Sequence, residues 1–130
     1  GAMCVQHEHV PGETVKFLGE VQSAYPKKNW SSLMLLNCNR CTKLTVDYVN
    51  SATGLELHRF HWLEGDHEIG AITGGWNHLV DVQAPPEPLD ASPMLHWTLG
   101  GPWFREQRTM GGPLAAEWFS ARDDAMKLWD

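Results

Sequence analysis

The 130-residue sequence has no long hydrophobic run and little positive charge. Its longest apolar stretch covers residues 33–36, whereas a helix that crosses a membrane needs about 20 apolar residues. We therefore expect no membrane span. Lys and Arg number 10 against 16 Asp and Glu, which gives a formal net charge of −6. Because nucleic-acid binders present a basic surface, this balance argues against that class of protein.

Cysteine is scarce, and several catalytic motifs are missing. The three cysteines, Cys4, Cys38 and Cys41, are an odd number that does not suit a disulfide framework. A secretion signal has a positively charged start followed by an apolar stretch, and the sequence does not show this pattern. We therefore expect a cytoplasmic protein. The sequence also lacks a Gly-x-Ser-x-Gly elbow and a phosphate loop with Lys, which disfavours the reactions that depend on them.

What the sequence does contain is the composition of one soluble globular domain with unusually many tryptophans. Hydrophobic residues make up 42% of the chain and charged residues 20%, and the length suits a single domain. We interpret Gly1 and Ala2 as the remnant of an expression tag and residues 3–130 as the domain. The seven tryptophans suit a core, an interface or a sugar-binding surface, and their number does not choose among these.

The pattern of apolar and turn-forming residues predicts a mixed α/β fold, with a small mixed sheet flanked by helices. Strands are predicted at residues 3–10, 30–37, 76–80 and 94–98, and helices at 45–51 and 113–129. The apolar run inside 30–37 predicts a central strand. Residues 55–63 fit the helical and the strand periodicity equally. The helix at 113–129 carries an apolar stripe that consists of Leu114, Trp118, Ala121, Ala125 and Leu128.

A first candidate for chemistry is a zinc site. His7 and His9 with Cys38 and Cys41 supply two imidazoles and two thiolates, a set that suits tetrahedral zinc. This interpretation would make the chain a small zinc-stabilised interaction protein. The alternative is two small apolar thiols at a strand end and two ordinary histidines in the first strand.

Two further candidates are metal or anion sites. The sequence Asp66-His67-Glu68 offers ligands for Mg²⁺ or Mn²⁺, and its alternative is a solvated acidic loop. His96 precedes Gly100 and Gly101, whose backbone amides could approach an anion closely. The alternative there is a core histidine beside a tight turn.

Three phrases of the sequence together resemble a known family. The first is KKNWSSLML at 27–35, and the third is HWTLGGPWF at 96–104. The second begins with WL at 62–63 and continues through IG at 69–70 to WNxLV at 76–80. Their order and spacing resemble the C-terminal half of bacterial glycosyltransferases related to family eight, which have a nucleotide-sugar-binding fold of the A type. The resemblance covers residues 3–104.

The resemblance implies a set of functional residues. His96 matches the histidine that completes a manganese site, and Asp66 belongs to the acidic loop. Gly100, Gly101 and Trp103 match the turn near the donor diphosphate. The residues implied at the donor and acceptor cleft are Ser31, Ser32 and Asn37 on the predicted central strand, with Trp76 and Asn77 on the acceptor side.

The sequence departs from that family by lacking an Asp-x-Asp pair, without which one histidine holds manganese poorly. We therefore expect a glycosyltransferase-like fragment that is not catalytic alone and that binds a sugar or a nucleotide sugar weakly. No cofactor is expected to be bound, and Mn²⁺ or Mg²⁺ would be needed if the chain were active. The alternative is an enzyme that a partner or an oligomer completes. Because half of such a fold leaves open strand edges, we expect a homodimer.

Overall fold

The described residues form a mixed α/β fold with a small mixed sheet and three α-helices, which confirms the predicted fold class. The computed structural model describes residues 1–8, 19, 21 and 23–129. These residues form two compact units. Unit 1 takes its described residues from 1–8 and 23–74, and unit 2 takes them from 19, 21 and 75–129. That residues 3–130 are a single domain stays a prediction.

The sheet of unit 1 has three short strands in the order β2-β1-β3. They are β1 (Ala2–Cys4), β2 (Met34–Leu36) and β3 (Ile69–Ala71). Strand β1 pairs antiparallel with β2 and parallel with β3. Because neighbouring side chains of a strand point to opposite faces, Ala2 and Cys4 are buried while Met3 is exposed.

Two short helices of unit 1 start at threonine caps. Helix α1 (Val46–Ser51) begins after Thr45, whose hydroxyl accepts a hydrogen bond from the Tyr48 amide, as the sequence predicts. Helix α2 (Gly54–His58) begins after Thr53, which forms a reciprocal capping box with Glu56. Of the ambiguous segment 55–63, residues 55–58 are therefore helical, and residues 59–63 form turns and a bend. The buried core of unit 1 consists of Ala2, Cys4, Cys41, Phe60, Trp62 and Leu63.

Unit 2 contains two parallel strands and the longest helix. Strands β4 (His78–Leu79) and β5 (Leu95–His96) pair in register, and helix α3 extends over Leu114–Met126. Gly111, with a φ of 86°, precedes α3 at a point where a Cβ atom would collide with the Val80 side chain. A side chain there would disturb the interior of the unit, whose largest fully buried side chains include Leu79, Val80, Leu114 and Asn77.

The structure corrects several predicted element positions. Strand β2 is an outer strand of the three-stranded order, and Leu35 is 63% exposed, so the apolar run there does not mark a central strand. Residues 30–32 form a 3₁₀ turn, which places Ser31 and Ser32 outside the strand. Ala2 lies in β1 and is buried, whatever its origin. Residues 9 and 10 of the first predicted strand lie outside the described residues.

The apolar stripe predicted for the last helix is buried only at its beginning. Leu114 is 1% exposed, whereas Leu128, beyond the end of α3, is 85% exposed. Within the described ranges, no helix combines the length and apolar character that crossing a bilayer requires.

Candidate ligand-binding site

The site residues predicted in unit 1 make local contacts. The Ser31 hydroxyl lies 2.6 Å from Nδ1 of His58, and the Ser32 hydroxyl donates to the carbonyl oxygen of Asn29. Asp66 forms an ion pair with Lys27. The Ser31–His58 and Lys27–Asp66 contacts join segments of unit 1 that are distant in the sequence, whereas the Ser32 contact lies within one turn.

Asn37 lines a cavity of about 520 Å³ in unit 1, beside the outward face of the sheet. The same cavity is lined by Arg40 and Glu68, which pair with each other at 3.3 Å. Hydrogen bonding to the Glu64 amide is the main reason that the pKa of Glu68 is lowered, and the Arg40 charge lowers it further. Because these charged groups already partner each other and no Trp, Tyr or Phe ring lines the cavity, it is a weaker candidate for ligand binding than the cavity of unit 2 described below.

Asn77 and His96, both predicted as site residues, do come together in unit 2. Nδ1 of His96 lies 3.1 Å from Oδ1 of Asn77, so the ring nitrogen donates to the amide oxygen. Asn77 is fully buried and has a φ of 57°, a left-handed conformation that asparagine tolerates better than most residues. The pair therefore forms a structural hydrogen bond beside β4. Trp76, next to Asn77, is 46% exposed.

Gly100 and Gly101 form a turn that makes room for side chains. Gly100 has a φ of 119°, and a Cβ atom there would collide with the Gln107 side chain. A Cβ atom on Gly101 would collide with the indole ring of Trp103. Gly100 is thus explained by its backbone conformation and packing, and Gly101 by packing alone. Neither glycine needs a bound diphosphate to explain it.

The predicted metal ligands are not assembled into a site. Among the residues that the structure describes, no group of three His, Cys, Asp or Glu side chains is arranged to hold a metal ion. His96 belongs to unit 2 and Asp66 to unit 1. Of the proposed zinc ligands, Cys38 is exposed and Cys41 is buried, and His9 lies outside the described residues. Both metal assignments stay predictions that no described cluster supports.

A cavity of about 390 Å³ in unit 2 combines aromatic, acidic and hydroxyl groups. One wall is formed by α3 and the other by the segment that leads into β5. The lining residues are Leu89, Asp90, Ser92, Pro93, Leu95 and Trp97 on that segment, with Glu117, Trp118 and Ala121 on α3. Side chains two residues apart on a strand share a face, which explains why Leu95 and Trp97 line the cavity while His96 contacts Asn77.

The two tryptophans of the cavity are held by a third one. The ring of Trp103 lies 6.4 Å from that of Trp97 and 5.7 Å from that of Trp118, measured between centroids. The indole nitrogen of Trp97 also donates to the carbonyl oxygen of Met110 at 3.4 Å. Edge and tilted contacts of this kind stabilise aromatic clusters. Trp103 is therefore a support for the cavity walls and is not itself part of the lining.

The polar groups of the cavity are hydrogen-bond acceptors. Asp90 and Glu117 are exposed carboxylates, and no described residue forms an ion pair or hydrogen bond with either. The Ser92 hydroxyl lies 2.5 Å from the carbonyl oxygen of Gly75 and 3.0 Å from that of Met94. Since its single proton is used in those contacts, the hydroxyl offers its lone pairs to a ligand.

Sequence reasoning missed most of this site. It selected Trp103 but not Trp97, Trp118, Asp90 or Glu117. One signal for Trp97 was the alternation of side-chain directions along a strand. Because successive side chains point to opposite faces, an inward-facing His96 places Trp97 on the other face. The placement of Trp118 on the apolar stripe of the last predicted helix was a second signal.

Unit 2 thus contains a cavity that is lined by aromatic and acidic side chains. No family model matches the chain, and no solved structure matches it. The chain is 48% identical to Protein CDI from Arabidopsis thaliana over 106 residues, which cover 78% of this chain and 40% of the relative. The chain thus spans about two fifths of the length of that relative.

This similarity corrects the resemblance to bacterial glycosyltransferases of the family-eight type. What the sequence matches at 48% identity is Protein CDI, a plant protein, and none of the comparisons supports a glycosyltransferase. The phrases that carried the resemblance include the Trp76-Asn77 turn and the Gly100-Gly101 turn, and packing accounts for both. Short phrases rich in Trp and Gly are therefore a poor guide to family here.

Proposed function

We propose that this chain is a carbohydrate-binding protein and that the cavity of unit 2 holds the sugar. The observation that carries the proposal is the presence of two tryptophan side chains, Trp97 and Trp118, in one cavity with two carboxylates. A sugar ring has an apolar face of C–H groups and a rim of hydroxyl donors. Aromatic rings pack against the first, and carboxylates and hydroxyl oxygens accept from the second.

The size and charge of the cavity favour a sugar over a nucleotide sugar. A volume of about 390 Å³ lies toward the small end of the range of roughly 300–1,000 Å³ that ligand cavities occupy. The charged side chains that line it are Asp90 and Glu117. Because carboxylates repel a diphosphate, the lining suits a neutral or positively charged ligand better than a nucleotide.

Isothermal titration calorimetry with a panel of monosaccharides tests the proposal. Trp118→Ala removes one cavity wall, and we expect it to weaken binding about tenfold, since an aromatic contact contributes about 0.5–1.5 kcal/mol beyond its buried area. Trp76→Ala is the matched control, because Trp76 is a half-exposed tryptophan of the same unit that does not line the cavity. Circular dichroism spectra establish that both variants fold.

Two outcomes would overturn the proposal. One is the absence of measurable binding for every sugar at millimolar concentration. The other is equal weakening by Trp76→Ala and Trp118→Ala, which would move the site away from the cavity and toward the Trp76-Asn77 turn.

We propose further that the chain acts in the cytoplasm as a homodimer. Three free thiols, two of them buried, support a reducing compartment. The outer strands β2 and β3 support self-association, because an unpaired strand edge invites pairing with a second copy. Exposed apolar side chains at Met3 and Leu35 lie on the same face of that sheet. Sedimentation velocity at micromolar concentration tests the dimer, and a single monomeric species would contradict it.

A further inference from the structure

We infer that the ligand of the unit 2 cavity is an amino sugar with a free, protonated amine. The inference rests on the proposed function and narrows it to one class of sugar. It depends on three features of the cavity: the sign of its charge, the lack of internal partners for that charge, and the aromatic faces beside it.

The charge of the cavity lining is negative. Asp90 approaches from the 3₁₀ turn Leu89–Ala91, and Glu117 approaches from the first turn of α3. Carboxylates are ionised at neutral pH, and no Lys, Arg or His lines the cavity to balance them. Two negative charges from separate elements therefore converge on one space.

The described residues leave both carboxylates without an ionic partner. The nearest basic group of α3 is already engaged, because the guanidinium of Arg122 bonds Oδ1 of Asp123 at 2.5 and 2.9 Å. A cation supplied by the ligand would satisfy the carboxylates, and a neutral ligand would leave their charge unmatched. This difference gives the cavity a preference for a positively charged ligand.

The aromatic walls favour the same ligand. A cation placed over an indole face is attracted by the negative face of the ring. The structure shows that Trp118 accepts such a contact, because the Arg122 guanidinium lies 5.8 Å from its ring centroid. An ammonium group on a sugar would thus find carboxylate acceptors and a tryptophan face together, while the C–H face of the ring packs on the remaining aromatic surface.

The test compares three sugars of the same ring size by calorimetry: glucosamine, N-acetylglucosamine and glucose. At mildly acidic pH the amine of glucosamine is protonated while carboxylates remain ionised. We expect glucosamine to bind about tenfold more tightly than either neutral sugar, which is the combined size of a cation–π contact and of ion pairs with exposed carboxylates.

A pair of double variants separates the cavity from the overall charge of the protein. Asp90→Asn with Glu117→Gln should reduce the preference for glucosamine to less than about twofold, since the neutral amides keep the shape of the lining. Glu106→Gln with Asp124→Asn is the matched control. It removes one Asp and one Glu, both exposed in unit 2 and outside the cavity lining, and it should leave the preference unchanged.

The outcomes distinguish this inference from the proposed function. Equal binding of the three sugars would overturn the inference and leave carbohydrate binding in place. The same conclusion would follow if the control double variant also lost the preference for glucosamine. Failure of all three sugars to bind would overturn the proposed function and the inference together. A preference lost only in the Asp90 and Glu117 double variant supports both.

Discussion

Tryptophan serves different purposes in the two units. In unit 1, Trp62 is 3% exposed and packs on Phe60 at 5.7 Å between ring centroids. In unit 2, Trp76 and Trp103 are each 46% exposed, and the Trp103 ring contacts the rings of Trp97 and Trp118. Abundance in the sequence therefore reports two separate roles, a buried anchor in one unit and a partly solvated surface in the other.

Both units bury polar side chains, but to different degrees. Unit 1 buries His7 and Lys28, which are 9% and 6% exposed, beside a core cluster that is aliphatic, aromatic and sulfur-containing. Unit 2 buries Asn77 completely and bonds it to His96. Because a satisfied buried polar pair is costly to disrupt on one side, we expect unit 2 to depend on this hydrogen bond.

The largest expected effect is on the apolar core of unit 1. Trp62→Ala should lower the free energy of unfolding by about 3–5 kcal/mol, because it removes a large buried side chain and leaves a cavity. Trp76→Ala, at a half-exposed tryptophan of unit 2, should cost less than about 1 kcal/mol. Urea denaturation monitored by circular dichroism measures both. Equal losses in the two variants would contradict the distinction between the buried Trp62 and the half-exposed Trp76.

The next effect concerns the buried pair of unit 2. Asn77→Ala should lower the free energy of unfolding by about 2–4 kcal/mol, since it leaves Nδ1 of His96 without this acceptor and places alanine in the left-handed region. Asp81→Ala is the control, because Asp81 has a φ of 62° but is exposed. It shares only the backbone cost, so its loss should be about half as large or less. The same denaturation experiment measures both, and a loss as large for Asp81→Ala would show that the hydrogen bond adds nothing.

The sequence predicted the helices better than the sheets and the site. The cap at Thr45 and the periodicity before Trp129 are local signals, and α1 and α3 appear where they indicate. Strand order depends on pairing between residues far apart in the chain, such as Met3 with Leu35 and Gly70. No local pattern encodes such pairing, which is why β2 was expected to be central.

The cavity could not be predicted for the same reason. Trp97 and Trp118 belong to different elements, and only the packing of α3 against the segment that leads into β5 makes them walls of one space. The apolar stripe of α3 is present as a pattern, but Leu114 is its only buried member. A stripe shows which side chains share a face and does not show what covers that face.

A smaller effect is expected from pH and is confined to unit 1. Burial raises the pKa of Cys4 from its ordinary value of 9.0 to about 11, and the nearby Lys27 charge opposes this shift. Between these two values the unfolded chain loses the thiol proton while the folded chain keeps it. The free energy of unfolding should therefore fall as the pH rises through this interval, by about 1–3 kcal/mol.

Two cysteine variants check the origin of that pH dependence. Cys4→Ala should remove this part of the alkaline loss of stability, measured by urea denaturation at a series of pH values. Cys38→Ala should retain it, because Cys38 is exposed. If the alkaline loss in the free energy of unfolding persists unchanged in Cys4→Ala, a group other than the Cys4 thiol causes it.

The smallest effect tests whether unit 1 depends on its caps in addition to its core. Thr53→Ala removes a hydroxyl that accepts from the Glu56 amide at 3.2 Å and donates to the Glu56 carboxylate at 2.7 Å. The loss in the free energy of unfolding should be about 1 kcal/mol, the usual contribution of a threonine cap. Thr53→Ser keeps the hydroxyl and should lose less than half as much. If the two variants are equally destabilised, the methyl group of Thr53 and not the capping box stabilises α2, and unit 1 is then held by apolar contacts even at its surface.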